Sequence, residues 1–172
     1  MTQITYREAL ESLQARGRFG IRLGLGRTRA ILRGLGDPHL AVQGALIAGT
    51  NGKGSVVAYL EAAVRAAGVA CGACASPHLV DFREGIRTHQ GPVPREAVVR
   101  FVAWAREEAW EEPPGFFDLA TALAFLHFRE RGVALAAVEA GVGGEKDATN
   151  ALSRVALTVL TNVGEDHLEA LG

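Results

Sequence analysis

Three glycines and a lysine fall within the seven residues Gly49-Thr50-Asn51-Gly52-Lys53-Gly54-Ser55, and the residues on either side leave few ways to fold them. Ala45-Leu46-Ile47-Ala48 precedes them as a short apolar run, which reads as a buried strand. Val56, Val57, Leu60, Ala63 and Val64 follow at helical spacing. A strand that enters a glycine-rich turn and leaves as a helix is built to receive an anion. The glycines let the backbone come close, successive N–H groups converge, and the helix N-terminus adds partial positive charge. Lys53 brings a full charge to the outer end of the turn. The strict P-loop spacing is not met, because Ile47 stands six residues before Lys53 and Gly54 separates that lysine from Ser55. A merely flexible turn would not need this composition.

The rest of the chain arranges itself around that unit. Tyr6, Ala9, Leu10 and Leu13 have helical periodicity, and a second short helix is expected through Arg29-Ala30-Ile31-Leu32 before Gly34 and Gly36. The helix after the turn closes at Gly68, and Val69 to Ala75 follows as a strand at βαβ spacing, which implies a parallel sheet. From Ser76 to Pro92 no periodicity is visible, so Asp81 to Gln90 reads as a long charged loop, a place where function often sits. A helix is expected from Pro94 to about Glu112 and another from Phe117 to Arg131, separated by Pro113-Pro114-Gly115. Val133 to Val138 and Val155 to Asn162 read as two further strands. No helix is recognisable after the last of them.

The composition excludes several classes. A length of 172 residues suits one domain, and 48% apolar residues suffice for a core. With 18 basic and 19 acidic residues the net charge is −1, which points away from nucleic acid and membrane surfaces. No long apolar stretch or secretory leader appears, so a cytoplasmic location is expected. Cys71 and Cys74 form a C-x-x-C, but within a strand rather than at a helix start. They read as two small buried residues without redox or zinc chemistry.

In parallel α/β sheets ligands collect at the carboxyl ends of the strands. Four such ends carry polar groups here: the phosphate turn, Ser76, Glu139 and Asp166-His167. A nucleotide brings Mg²⁺, which prefers oxygen ligands and retained waters, and Glu139 is the best-placed carboxylate for it. By itself a strand-end glutamate is more often an ion-pair or loop-capping residue; the neighbouring phosphate turn reverses that and favours the metal role. Ser76 alone would be a loop starter. His167 is an unusual Mg²⁺ ligand on chemistry alone.

Taken together, the motifs are similar to those of the folylpolyglutamate synthase/dihydrofolate synthase branch of the Mur ligase superfamily. The resemblance rests on Leu23-Gly24-Leu25 with Arg27, the 49–55 turn, Ser76-Pro77-His78-Leu79, Phe116-Phe117, Glu139 to Gly144, Asp147-Ala148-Thr149-Asn150 and Asp166-His167, in this order. It implies a P-loop NTPase-like α/β domain, a parallel sheet flanked by helices, of the kind found at the centre of Mur ligases. It also implies an ATP-dependent carboxylate–amine ligase that joins dihydropteroate or a folate to L-glutamate through an acyl phosphate. On this resemblance Thr50, Asn51, Gly52 and Lys53 contact ATP in a turn completed by Gly54 and Ser55. Ser76, Glu139 and His167 hold Mg²⁺, with Lys53, Glu139 and His167 taking catalytic parts. Ile21, Arg22, Leu23, Phe116, Phe117, Asp118, Lys146, Asp147 and Ala148 lie near the pterin or pteroate, although core packing is an equal alternative for Phe116 or Phe117.

The chain also departs from the family pattern. Arg22 stands where an acidic residue is common, Gly26 and Asp118 where glutamate is usual, Gly85 within the usual Glu-Arg-Ile, and Glu145 where arginine often follows the double glycine. These departures gather around the expected pteroate site and spare the ATP and Mg²⁺ positions. Family enzymes are considerably longer and monomeric, with a C-terminal Rossmann-like domain that completes the glutamate site. Residues 1–172 therefore read as an incomplete N-terminal ATP-binding domain. The other class consistent with the residues is a nucleotide-binding module without ligase activity of its own.

Overall fold

The structure is a computed structural model and describes residues 4–17 and 22–171. Two helices, α1 (Tyr6–Gly17) and α2 (Gly26–Gly34), lead into β1 (Gln43–Ala48), followed by α3 (Lys53–Ala66) and β2 (Cys71–Cys74). A hairpin of β3 (Ile86–Thr88) and β4 (Gly91–Pro92) precedes α4 (Arg95–Glu107) and α5 (Phe116–Glu130). The chain then forms β5 (Leu135–Glu139), β6 (Arg154–Leu160) and the short α6 (Leu168–Leu171).

The six strands form one sheet in the order β4-β3-β2-β5-β1-β6. β1 lies between β5 and β6 and runs parallel to both, and β2 runs parallel to β5. Because β5 stands between β1 and β2, the expected βαβ unit is present without its two strands touching.

Strand alternation divides the core into two layers. Leu46, Cys74, Ala136 and Val138 face the layer made by α1, α2, α4 and α5, with Leu13, Ile31, Val98, Phe101, Leu123 and Phe128 among its filling. Ala45, Ile47, Ala73 and Ala137 face α3, where Val57 is buried against them and Val56 and Leu60 are partly buried. Three alanines on that face let the first turns of α3 lie close to the sheet, and that closeness brings the phosphate turn over the strand ends. Burial also explains the cysteines: both are free and buried, and desolvation pushes the Cys74 thiol up to about 12, away from any reactive range.

Three expectations need correction. The supposed loop from Asp81 to Gln90 is folded. Asp81 caps a 3-10 turn, Phe82–Gly85, accepting the Arg83 N–H at 3.0 Å while Glu84 accepts the Asp81 N–H at 3.0 Å. β3 then pairs antiparallel with β2, so the sheet is mixed rather than wholly parallel. Second, α4 ends at Glu107 instead of about Glu112, and α5 starts at Phe116, where Asp118 accepts the Gly115 N–H at 2.9 Å. Third, a one-turn helix does follow β6. Among the described residues no helix is long and apolar enough to cross a membrane.

The sheet centre tolerates no added atom at Gly44. A β-carbon there would stand 2.7 Å from the Ala136 carbonyl oxygen and 3.1 Å from Leu152 Cδ2. The first of these is backbone of a paired strand and cannot swing aside. Gly44→Ala is expected to cost about 1–3 kcal/mol, the range for overpacking. Urea denaturation would show it as a lower midpoint with an unchanged slope.

Candidate functional site

The phosphate turn leaves β1 at Gly49, whose φ of +130° suits glycine and brings its backbone against the Thr161 hydroxyl and the Asn162 carbonyl. Gly52, at φ +82°, is the left-handed entry to α3. The segment after β6 holds the turn in place. Thr50 N–H donates to the Asn162 carbonyl at 3.0 Å, Asn51 N–H to Asn162 Oδ1 at 2.9 Å, and Gly164 N–H to Thr50 Oγ1 at 2.9 Å. Lys53 folds across the turn, its ammonium donating to the carbonyls of Gly49 at 2.8 Å and Thr50 at 3.0 Å. Two of its three donors are thus used internally and one remains for a ligand. The first-turn N–H groups of α3 have no intrahelical acceptors and point to the same end.

Glu139 ends β5, in register with Ile47 of β1, and is 5% exposed. Its Oε2 accepts the Ser76 N–H at 3.1 Å and lies against Gly54, 3.6 Å from the place a β-carbon would take there. Burial raises the Glu139 pKa, while the Ser76 N–H and the Lys53 charge work against that rise. Ser76 itself follows β2, so one contact ties two strand ends together.

Asp147 organises the loop after β5. Its Oδ2 accepts the N–H groups of Gly141 at 3.0 Å and Val142 at 2.9 Å, and its Oδ1 accepts the Thr149 N–H at 3.0 Å. Phe117 packs closely on the backbone that this creates: a β-carbon on Gly141 would meet its ring at 2.8 Å. Phe116 packs edge-on to Phe82, ring centroids 5.9 Å apart, and so belongs to core and site at once.

Two adjoining cavities result. The larger, about 430 Å³, is lined by Arg22 and Leu23 on one side, Phe116, Phe117 and Asp118 on another, and Lys146, Asp147 and Ala148 on a third, with Ser76 and His167 also in its wall. Every expected pteroate residue is therefore gathered there except Ile21, which lies outside the described residues. The smaller, about 250 Å³, lies over Gly49, Thr50 and Lys53 and is closed by the segment from Leu160 to His167. Gly141, Val142 and His167 line both cavities. Asn51, Gly52, Gly54 and Ser55 belong to the turn and the first turn of α3 rather than to a cavity wall.

Asn162, Gly164 and Arg16 were not among the expected residues. Asn162 stands at the carboxyl end of a strand, so the strand-end rule was sufficient to find it. Arg16 closes the last turn of an ordinary amphipathic helix and carries no local signal.

The search of protein-family models finds no match. Individual proteins do match. A probable bifunctional folylpolyglutamate synthase/dihydropteroate synthase of Haloferax volcanii is 41% identical over 97% of the chain and 20% of its own length. A dihydrofolate synthase/folylpolyglutamate synthase of Bacillus subtilis is 35% identical over 97% of the chain and 40% of its own length. Escherichia coli FolC, solved in complex with DHPP and ADP, superposes with a TM-score of 0.82 at 30% identity, over 95% of the chain and 40% of FolC. The chain is a homologue of part of the folylpolyglutamate/dihydrofolate synthases. It spans 20% and 40% of the length of the two relatives named, and its mixed α/β fold is the one those synthases share over that part.

In this synthase homologue the state of Glu139 can be tested without any ligand. A carboxyl whose folded pKa is raised destabilises the fold when ionised, so its cost appears as pH climbs from the unfolded value through the raised one. Glu139→Gln keeps the shape and removes the charge. The variant is expected to melt higher than the parent at pH 7.5, by roughly 2–4 °C for each kcal/mol relieved, and level with it near pH 4. Calorimetric melts at the two pH values check the sign.

Proposed function

We propose that residues 1–172 form the nucleotide- and acceptor-binding domain of an ATP-dependent ligase that joins a carboxylate of dihydropteroate or a folate to the amine of L-glutamate. The observation that carries this reading is the meeting of the two cavities. A space with aromatic, apolar and cationic walls opens onto a phosphate turn through the shared residues Gly141, Val142 and His167. The complex of E. coli FolC with DHPP and ADP agrees with one ligand of each kind.

The chemistry needs an acceptor carboxylate within reach of a terminal phosphate. A carboxylate oxygen attacks the γ-phosphorus of ATP and ADP leaves; the glutamate amine then attacks the acyl carbon and phosphate leaves. The barrier is mostly charge on the transferring phosphoryl group, so positioning and donors matter more than covalent help. Lys53 and the first-turn amides of α3 would hold the phosphates. Phe116 and Phe117 would hold a flat ring system, and Arg22 and Lys146 would meet the acceptor's negative charge.

The donor set also suits Mg²⁺. Among the described residues no three His, Cys, Asp or Glu side chains converge to cage a metal. Glu139 and the Ser76 hydroxyl would instead offer the few oxygen ligands that Mg²⁺ takes when phosphates and waters complete its shell, with His167, a less usual ligand, in the walls of both cavities. Bound there, it would neutralise charge on the outer phosphates. The buried Glu139 carboxylate, only partly compensated by Ser76 and Lys53, fits that partner.

Lys53→Ala is expected to weaken Mg-ATP binding more than tenfold, since it removes the one full positive charge at the turn. Titration calorimetry with the parent and variant measures it, and equal affinity would remove the phosphate-site reading. The 172-residue chain alone should bind Mg-ATP weakly and form no glutamyl product. Amide formation needs amine and acyl phosphate held at attack distance, an orientation worth roughly 7–11 kcal/mol at best, and the relatives bring much more chain to the task. Incubation with Mg-ATP, labelled glutamate and dihydropteroate, followed by chromatography, decides this. Incorporation at the rate of a full-length relative would overturn it.

A further inference from the structure

Arg27 lies beside the larger cavity, and all three of its guanidinium nitrogens are engaged on different segments. Nε donates to Asp118 Oδ2 at 3.1 Å, Nη1 to Glu112 Oε1 at 2.9 Å, and Nη2 to the Arg22 carbonyl at 2.5 Å. Asp118 is equally committed: besides Arg27, its Oδ2 accepts the Gly115 N–H at 2.9 Å and its Oδ1 accepts the Thr28 hydroxyl at 2.7 Å. Both side chains are 7% exposed. Glu112 Oε1 also receives Arg22 Nη2 at 2.7 Å, closing the network on the rim. The Arg22–Leu23 segment and the Phe116–Phe117 turn form facing walls of the cavity, and these bonds are what joins one to the other.

We propose that the buried Arg27–Asp118 pair, with Glu112 on its exposed arm, is the brace that sets the width of the acceptor cavity, so that Asp118 acts by positioning the walls and not by binding the acceptor. Three protein donors occupy the Asp118 carboxylate, two on Oδ2 and one on Oδ1, so most of its acceptor capacity serves the protein. The planar fork of Arg27 reaches three acceptors at once, which a lysine cannot do. This assignment rests on the acceptor reading given above.

The test uses the full 172-residue chain and two probes, dihydropteroate and Mg-ATP, with dissociation constants and melting temperatures measured for each variant. Arg27→Lys keeps the charge and loses the fork. It is expected to weaken dihydropteroate binding about fivefold or more and leave Mg-ATP affinity within about twofold, because only one cavity depends on the brace. Glu112→Ala, at a half-exposed position that does not threaten folding, removes the acceptor that Arg22 and Arg27 share; it is expected to weaken dihydropteroate about threefold or more with Mg-ATP affinity within about twofold, and decides the matter if Arg27→Lys does not fold. Parallel loss of both affinities with the melting temperature would mean a general structural role and would overturn the brace. So would unchanged dihydropteroate affinity in these variants, or a loss confined to Asp118→Asn, which would make Asp118 a direct ligand. Failure of the parent chain to bind dihydropteroate at all would instead overturn the acceptor reading, and the brace with it.

Discussion

Parallel pairing of β1 with β5 on one side and β6 on the other brings three different strand ends to one edge of the sheet. The register leaves Ala48 to start the phosphate turn, Glu139 to end β5 beside it, and Leu160 to lead into the segment that holds the turn. None of these groups is adjacent in sequence. A slip of one residue would turn Glu139 toward the opposite layer in the first pairing and separate Asn162 from Asn51 in the second. Gly44 protects that register, since the β1 backbone meets Ala136 there with no room for a side chain. The site thus depends on backbone geometry within β1, at Gly44, five residues before the turn begins at Gly49.

Much of this arrangement is legible in the residues. The runs at Ala45–Ala48 and Val133–Val138 are continuous and apolar because strands buried on both faces have no solvent side to alternate with. The glycine turn announces its own geometry, since Gly49 and Gly52 occupy backbone regions that side chains disfavour. The hairpin at Ile86–Pro92 was not legible: strands of three and two residues are too short for a period to show, and their stability comes from pairing with β2. The end of α4 was missed because Glu108 to Glu112 has helical composition, and only the tertiary need for Glu112 at Arg27 and Arg22 shows why the chain opens there.

Partners, more than identities, separate the candidate residues. Asp118 and Asp147 are both carboxylates in the wall of one cavity, yet protein donors take all four acceptor positions of Asp147 and three of the four of Asp118. Each works as a local template, one for the brace and one for the loop at Gly141. A spacing pattern places such residues near a ligand without revealing that most of their hydrogen-bonding capacity already serves the protein, because the donors come from segments as far apart as Arg27 and Asp118.

Once those two carboxylates are set aside, the charge that the described residues bring to the larger cavity has one sign. Arg16, Arg22 and Lys146 remain, with Arg16 donating to the Pro114 carbonyl and Arg22 sharing the half-exposed Glu112 with Arg27. In a partly closed space such charges are screened less than on an open surface, so they favour an anion there. Glu139 is the opposite case: a buried carboxylate near Lys53 that, among the described residues, accepts one hydrogen bond, from the N–H of Ser76 in the wall of the larger cavity. The first region favours an anion and the second a cation, and both border the glycine-rich turn. That contrast arises from which charges the fold leaves uncommitted rather than from how many it carries.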